Sequence, residues 1–205
     1  NFFYANALFK RFEQAEALEL PEEQRRSLAV AAREYFQRMH AIDERDFAAL
    51  VMLYQIDSRY FPGFAEDNNW LSTLEVVAKS RRLQSSDLTA LGALVDFSGT
   101  VAGRAGRARV ELMLEQLVER YQWRLDLVHL RYKLLAGQDN VDSEQLRALL
   151  ERAAEVNPNG TQVYMSLLQY HGNEDIATSY ETIRAWMQRD SGRRDLSVIR
   201  RIFDN

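Results

Sequence analysis

The chain of 205 residues contains no cysteine. This absence excludes disulfide bonds, thiolate metal ligands and cysteine nucleophiles. Glycine and proline are also scarce, with nine and three residues, so turn formers are few and an all-β or loop-rich fold is disfavoured. No apolar run reaches the roughly 18 residues that a membrane-spanning helix needs, and no signal peptide is recognisable. The residues that are present instead predict a series of helical segments.

The charge balance argues against one class of partner. Acidic residues outnumber basic ones by 30 to 26, which gives a net charge of −4 and an isoelectric point near 5.5. A chain of this kind lacks the excess of positive charge that general nucleic-acid binding uses. Apolar residues make up 46% and charged residues 27%, as is usual for a globular chain. We therefore expect a folded domain without a nucleic-acid partner.

Apolar residues recur at helical spacing along most of the chain. Pro21 followed by two glutamates predicts a helix start, and Asp43 or Asp46 is the expected cap of the next helix. Asp142 and Gln145 have the spacing of a capping box. Roughly ten or eleven such segments, with short connections and no strand, predict an all-α fold.

The one glycine-dense stretch, residues 99–107, is the predicted loop or hinge. It separates an N-terminal helical region, residues 1–98, from a C-terminal helical region, residues 108–205, and we expect both to form one continuous domain. The chain begins at Asn1 rather than at methionine, so we expect a piece of a longer protein. The apolar residues 1–9 either dock on the core or continue a membrane helix that lies upstream.

Residue types that carry catalytic or metal chemistry are scattered. None of His40, His129 and His171 lies three or four residues from another histidine, as helical zinc ligands often do. No Gly-x-Ser-x-Gly nucleophile elbow is present, and residues 99–107 lack the Gly-Lys-Ser/Thr ending of a P-loop. Carboxylates such as Asp57 and Glu115 have no spacing that marks an acid and base pair. We predict no catalytic residue, no metal site and no cofactor.

The segment from Tyr60 to Trp70 combines aromatic side chains with amides and acids. Sugar-binding surfaces use this combination, since ring faces stack on C–H groups and polar atoms bind hydroxyls. The residues of this predicted glycan site are Phe61, Phe64 and Trp70. The same composition is typical of an interhelical loop whose rings fill the core, and both interpretations stand at this point.

From Leu125 onward, paired helices follow one another with a period of about 34 residues. This pattern resembles the tetratricopeptide repeat (TPR), in which small residues let paired helices approach and a proline closes the second helix. The positions that match are Ala153, Pro158, Tyr164 and Leu167. The chain departs from the family at Leu168, where glycine is preferred, and at the short turn around Gly172.

The TPR resemblance implies a specific architecture and function. The expected fold is a right-handed superhelix, or α-solenoid, of stacked antiparallel helix pairs. Such a domain is not an enzyme by itself but an interaction or scaffold domain that binds a protein or peptide. The first helices of the pairs would line the groove, with Tyr132, Tyr164 and Gln169 as candidate partner-binding residues.

A second resemblance concerns residues 53–62 (LYQIDSRYFP), 67–71 (DNNWL) and 86–91 (SDLTAL). They are similar to segments in soluble domains of bacterial envelope membrane proteins of the polysaccharide-polymerase and glycosyltransferase kind. The resemblance implies a periplasmic domain that is tethered to the membrane through a segment before Asn1, and a cytoplasmic location is the alternative. It also makes glycan binding or glycan positioning the alternative function.

Overall fold

The computed structural model describes residues 14, 20–63, 69–80, 82–138, 142–158, 160, 163–164, 166–167 and 176–188. Within these ranges the chain forms α-helices and one 3-10 turn but no β-strand, which confirms the predicted all-α class. The apolar start of the chain lies outside the described residues, as do three of the predicted site or metal-ligand candidates: Phe64, Gln169 and His171.

The helices of the described residues are α1 (Glu22–Ile42), α2 (Phe47–Tyr60), α3 (Trp70–Ser80), α4 (Ser85–Ser98), α5 (Arg107–Arg120), α6 (Leu125–Ala136), α7 (Ser143–Val156) and α8 (Ile176–Met187), and the 3-10 turn is Arg104–Gly106. The chain divides into two compact units, Asn1–Met113 (unit 1) and Leu114–Asn205 (unit 2). In the described part of the chain, no helix is both long and apolar enough to cross a bilayer.

Local side chains fix several helix starts. The Asp46 carboxylate accepts a hydrogen bond of 3.0 Å from the backbone N–H of Ala49 at the start of α2. Asp142 accepts one of 3.0 Å from the backbone N–H of Gln145 at the start of α7. Each carboxylate satisfies a donor that has no partner within the helix and lies at the positive end of the helix dipole. Asp142 was predicted as a cap from the sequence, and Asp46 is one of the two residues that the sequence offered for the cap of α2.

Helix α2 is the centre of unit 1 and packs against α1, α3 and α4. Every residue from 49 to 57 is buried. A helix that is surrounded on all sides has no solvent face, so it needs apolar side chains all round rather than one stripe. Gln55 and Asp57 are the two polar exceptions, and each is engaged by a neighbouring helix, as described below.

The glycine-dense stretch after α4 is packed closely against the core. A Cβ atom at Gly106 would collide with the hydroxyl group of Tyr54 on α2 and lie 3.1 Å from Leu71 Cδ2 on α3. At Gly103 it would collide with the backbone carbonyl of Phe97. Glycine is needed at both positions because only a residue without a side chain permits such a close approach.

Unit 2 contains the packed pair α6 and α7. Leu127 and Leu135 from α6 and Leu149 and Leu150 from α7 are among its buried side chains. The turn that leads into α6 includes Trp123 in the left-handed region at φ 60°, which is uncommon for a large side chain. Its N–H donates to the Val118 carbonyl over 2.9 Å, so the turn closes the end of α5.

Candidate functional site

An open cleft of about 410 Å³ lies between α2 and α4 in unit 1. We call it the α2–α4 cleft. Its lining comes from Gln55 and Arg59 on α2, from Thr89, Gly92, Ala93, Asp96 and Phe97 on α4, and from Thr100 in the turn that follows. The small residues in the middle of α4 make room for the cleft, and its volume falls in the range of small-molecule sites.

The Gln55 amide forms part of the cleft wall. The residue is only 5% exposed, and its Nε2 donates to the Ala93 carbonyl oxygen over 3.1 Å. Because a carbonyl oxygen needs a donor, this bond assigns the amide nitrogen to Ala93 and leaves Oε1 as the remaining acceptor. Among the described residues, no donor reaches that oxygen.

The charged groups of the cleft lie near the end of α4. The Arg59 guanidinium carbon is 5.0 Å from the centroid of the buried Phe97 ring, a distance at which a cation is attracted to the ring face. Asp96, one residue earlier on α4, is exposed. The Thr100 hydroxyl donates to the Phe97 carbonyl over 2.7 Å. This end of the cleft therefore presents both signs of charge.

Trp70 of the predicted glycan site is a core residue in the structure. It is 8% exposed, and its indole Nε1 donates to Asp57 Oδ2 over 2.8 Å. The His40 ring meets the indole edge to face, with centroids 5.4 Å apart. These contacts favour the core-filling interpretation of Trp70, since a buried indole offers no open face to a sugar.

Asp57 links three elements of unit 1. Its carboxylate is fully buried and accepts two hydrogen bonds from Arg33 on α1, from Nε over 2.6 Å and from Nη2 over 3.3 Å, besides that from Trp70 on α3. A buried carboxylate is tolerated when charge and hydrogen bonds compensate its lost hydration. We call Asp57, Arg33 and Trp70 the Asp57 network, and its bonds hold α1, α2 and α3 together.

Phe61 adjoins the Asp57 network. It is half-buried, and the guanidinium carbons of Arg26 and Arg33 lie 5.8 and 5.7 Å from its ring centroid. Two cations thus approach the ring that the sequence assigned to sugar stacking. The surroundings of Phe61 are those of a ring that packs against arginine side chains.

Two of the predicted partner-binding residues of unit 2, Tyr132 and Tyr164, lie among the described residues, and they are buried to different depths. Tyr132 is half-buried and borders a shallow hollow together with His129 and Ser166. Tyr164 is 6% exposed and belongs to the core. The hollow itself encloses only about 10 Å³, about the space of one water molecule, so it is a surface feature rather than a small-molecule cavity.

The described residues contain no cluster of three or more histidine or acidic side chains that could hold a metal ion. Glu115 instead pairs with the buried Arg131 over 2.7 Å. His129 is exposed on α6, and His40 packs on Trp70.

Burial raises the pKa of the Tyr54 hydroxyl, while a hydrogen bond to Ser58 and the charge of Arg109 act in the opposite direction.

Sequence analysis missed the α2–α4 cleft, because the polar residues that line it are far apart in sequence. One signal was available: Gln55 interrupts an otherwise apolar run in α2, and a buried amide needs hydrogen-bond partners. Comparison with known protein families, with curated proteins and with solved structures finds no match to this chain.

Proposed function

We propose that the chain is a non-catalytic interaction domain in which TPR-like antiparallel helix pairs stack into a right-handed superhelix and bind a protein or peptide partner. The observation that carries the proposal is the return of the chain after α7 to the start of α6. In a repeat of stacked helix pairs, the first helix of one pair lies beside the first helix of the previous pair.

Two contacts support this stacking. Asn157 Nδ2 donates to the Trp123 carbonyl oxygen over 2.8 Å, and the two residues are 34 positions apart, one period of the predicted repeat. A Cβ atom at Gly160 would lie 3.1 Å from Leu125 Cδ1, so the turn after α7 passes close to the first residue of α6.

The helical residues that follow this turn also adjoin α6. Val163 and Ser166 border the same hollow as four residues of α6: Leu125, Val128, His129 and Tyr132. Leu125 also lines a second open depression, of about 370 Å³, together with Val156, Asn157, Pro158 and Gly160. The two depressions share Leu125, and we call the residues that line them the α6 face.

The α6 face has the composition of a peptide-binding surface. It combines apolar side chains, an aromatic ring at Tyr132 and polar groups at His129 and Ser166. Val156 adds an apolar side chain that is 37% exposed. Aromatic residues bring large contact areas at low entropic cost to interfaces. An extended peptide with alternating apolar and polar side chains fits such a surface.

The proposal is tested by selecting peptides from a displayed random library on the purified chain. We expect the selected peptides to lose about tenfold or more in affinity on Tyr132→Ala, the range of an interface anchor. Tyr180→Ala on α8, which removes the same side chain from a site that is 66% exposed, is the matched control and should leave affinity unchanged. Peptides that bind both variants like the wild type would place the interaction elsewhere and overturn the proposal.

We propose that the domain belongs to a bacterial envelope protein and lies in the periplasm. This proposal is based on the resemblance of residues 53–62, 67–71 and 86–91 alone. The test introduces a cysteine at an exposed position, as Val101→Cys. A membrane-impermeant thiol reagent is then added to intact spheroplasts, and we expect it to label this cysteine. Labelling only after lysis would contradict a periplasmic location.

A further inference from the structure

We propose that the turn formed by Gln122 and Trp123 is a strained latch that Asn157 holds closed, and that its closure positions the α6 face for a peptide. The consequence for peptide binding depends on the proposed function, whereas the latch itself is tested without any peptide. The inference follows from two backbone angles, one long-range hydrogen bond and the place of Leu125 in the α6 face.

Both residues of the latch have a left-handed backbone conformation. Gln122 has a φ of 51° and Trp123 has a φ of 60°. This conformation is unfavourable for residues with a side chain, because the Cβ atom crowds the following carbonyl oxygen. Such angles persist only where the surrounding structure enforces them. The latch should therefore relax to other backbone angles when the contacts that enforce its conformation are lost.

Contacts from α5 and α7 hold the latch closed. Asn157 Nδ2 donates to the Trp123 carbonyl oxygen over 2.8 Å and to the Ala153 carbonyl oxygen over 3.3 Å. The Trp123 side chain is 9% exposed, and its ring centroid lies 6.0 Å from the guanidinium carbon of Arg152. The Trp123 N–H donates to the Val118 carbonyl over 2.9 Å. Asn157 therefore fastens the latch to the end of α7.

The helix that follows the latch carries the α6 face. Arg124, which directly precedes α6, makes no capping hydrogen bond with its side chain, although such a bond commonly fixes a helix start. Leu125 is the first residue of α6 and lines both depressions of the α6 face. A change in the backbone angles of Trp123 would redirect the chain two residues before Leu125. Opening of the latch should therefore disturb the α6 face.

Two substitutions should shift the equilibrium between the closed and the open latch in opposite directions. Asn157→Ala removes the hydrogen bond to the Trp123 carbonyl, so it should favour the open form. Gln122→Gly keeps that bond and removes the strain at one position, because glycine adopts positive φ without a steric penalty. Gln122→Gly should therefore favour the closed form and should partly reverse the effect of Asn157→Ala.

Amide hydrogen exchange of the full chain, followed by NMR, tests the latch. After correction for intrinsic rates, the Trp123 N–H should exchange at least about tenfold faster than amides in the middle of α6, because it is released by local opening. Asn157→Ala should speed its exchange about tenfold, the size of one lost hydrogen bond to a buried group. Gln122→Gly should slow it about threefold, in the wild type and in Asn157→Ala alike.

The matched control is Gln116→Gly, which introduces the same glycine at an exposed glutamine within α5. Because a helical residue has no positive φ to relieve, this change should neither slow the exchange of the Trp123 N–H nor reverse the effect of Asn157→Ala. Reversal by Gln122→Gly alone distinguishes a latch from a general structural role of Asn157. If Asn157→Ala does not fold, the comparison of Gln122→Gly with Gln116→Gly decides.

The coupling to the α6 face is tested with a peptide selected as described above. A ligand that binds only the closed form lowers the open population by the factor 1 + [L]/Kd. At a peptide concentration of ten times its Kd, the exchange of the Trp123 N–H should therefore slow about tenfold.

Three outcomes would overturn the inference. The Trp123 N–H could exchange only as slowly as the middle of α6, which would show that no latch opens locally. Asn157→Ala could leave its exchange unchanged, or Gln122→Gly could fail to slow it, and then Asn157 does not hold a strained turn. A bound peptide could leave the exchange unchanged, which would separate the latch from the α6 face. If no peptide is selected although both variants act as expected, the proposed function fails and the latch stands.

Discussion

Removal of the Asp57 carboxylate should destabilise the protein more than any surface change. In Asp57→Ala, Arg33 would lose two hydrogen bonds and the Trp70 indole N–H would lose its acceptor. The Arg33 side chain is only 16% exposed, so its charge would remain largely desolvated after the Asp57 carboxylate is removed. Breaking a buried ion pair in this way costs about 3–5 kcal/mol, a large share of a typical total of about 5–15 kcal/mol.

The free energy of unfolding is measured by urea denaturation followed by far-UV circular dichroism. Glu34→Ala serves as the control, because Glu34 forms an ion pair on α1 with Arg38 at 3.9 Å whose side chains are 62% and 79% exposed. Exposed pairs of this kind contribute little, so the control should lie within about 0.5 kcal/mol of the wild type.

A double variant separates the desolvated charge from the lost packing. Arg33→Met combined with Asp57→Leu removes both charges and keeps apolar volume, so its loss of stability should be smaller than that of Asp57→Ala. If the free energy of unfolding of Asp57→Ala lies within about 1 kcal/mol of the wild-type value, the Asp57 network does not stabilise unit 1. A double variant that is less stable than Asp57→Ala would refute the argument from the desolvated charge.

Three further predictions follow from other features. Gly106→Ala should lower the free energy of unfolding, measured by urea denaturation, by about 1–3 kcal/mol because its Cβ would collide with the Tyr54 hydroxyl. Gly63→Ala is the control and should be neutral, since no atom lies within 4 Å of a Cβ added there. Equal effects of the two substitutions would contradict the close packing at Gly106. The pKa of Tyr54 is raised above its usual value of 10.0, so the folded state keeps this proton to higher pH than the unfolded state. The stability that the protonated Tyr54 hydroxyl contributes is complete below pH 10.0 and is lost as pH rises through the folded-state pKa. Tyr54→Phe should therefore flatten the decline of the free energy of unfolding at alkaline pH, and Tyr180→Phe should not. EDTA should leave the melting temperature unchanged, and a drop of several degrees would reveal a bound metal.

The helices were predictable because their determinants are local. Asp46 and Asp142 cap helices through bonds to residues three positions away, and the bounds of α6 agree with the apolar periodicity. Such short-range patterns survive in almost any tertiary context. The same reasoning could not decide whether the ring of Trp70, at the start of α3, faces the core or the solvent.

The candidate site depends on distant residues, and sequence alone could not assemble it. Gln55 meets Ala93 across 38 positions, and Arg33 meets Asp57 across 24. These contacts depend on how α2 packs against α1 and α4, and a single sequence contains no direct signal for that packing. The glycines at 103 and 106 were noticed for their density, but their role in close approach became evident only from the neighbours they touch.

The burial of α2 on all sides also has a consequence for how the chain folds during synthesis. Helix α2 leaves the ribosome before α3 and α4, so for some time only α1 is present to cover it. The residues from 49 to 57, all of which are buried in the finished fold, then expose apolar surface that favours aggregation. The hairpin of α1 and α2 is a contact between neighbours in sequence and closes quickly. A pause in translation between α2 and α3 should therefore carry the greatest risk of aggregation for this protein. A chaperone that binds nascent apolar helices would act at that stage.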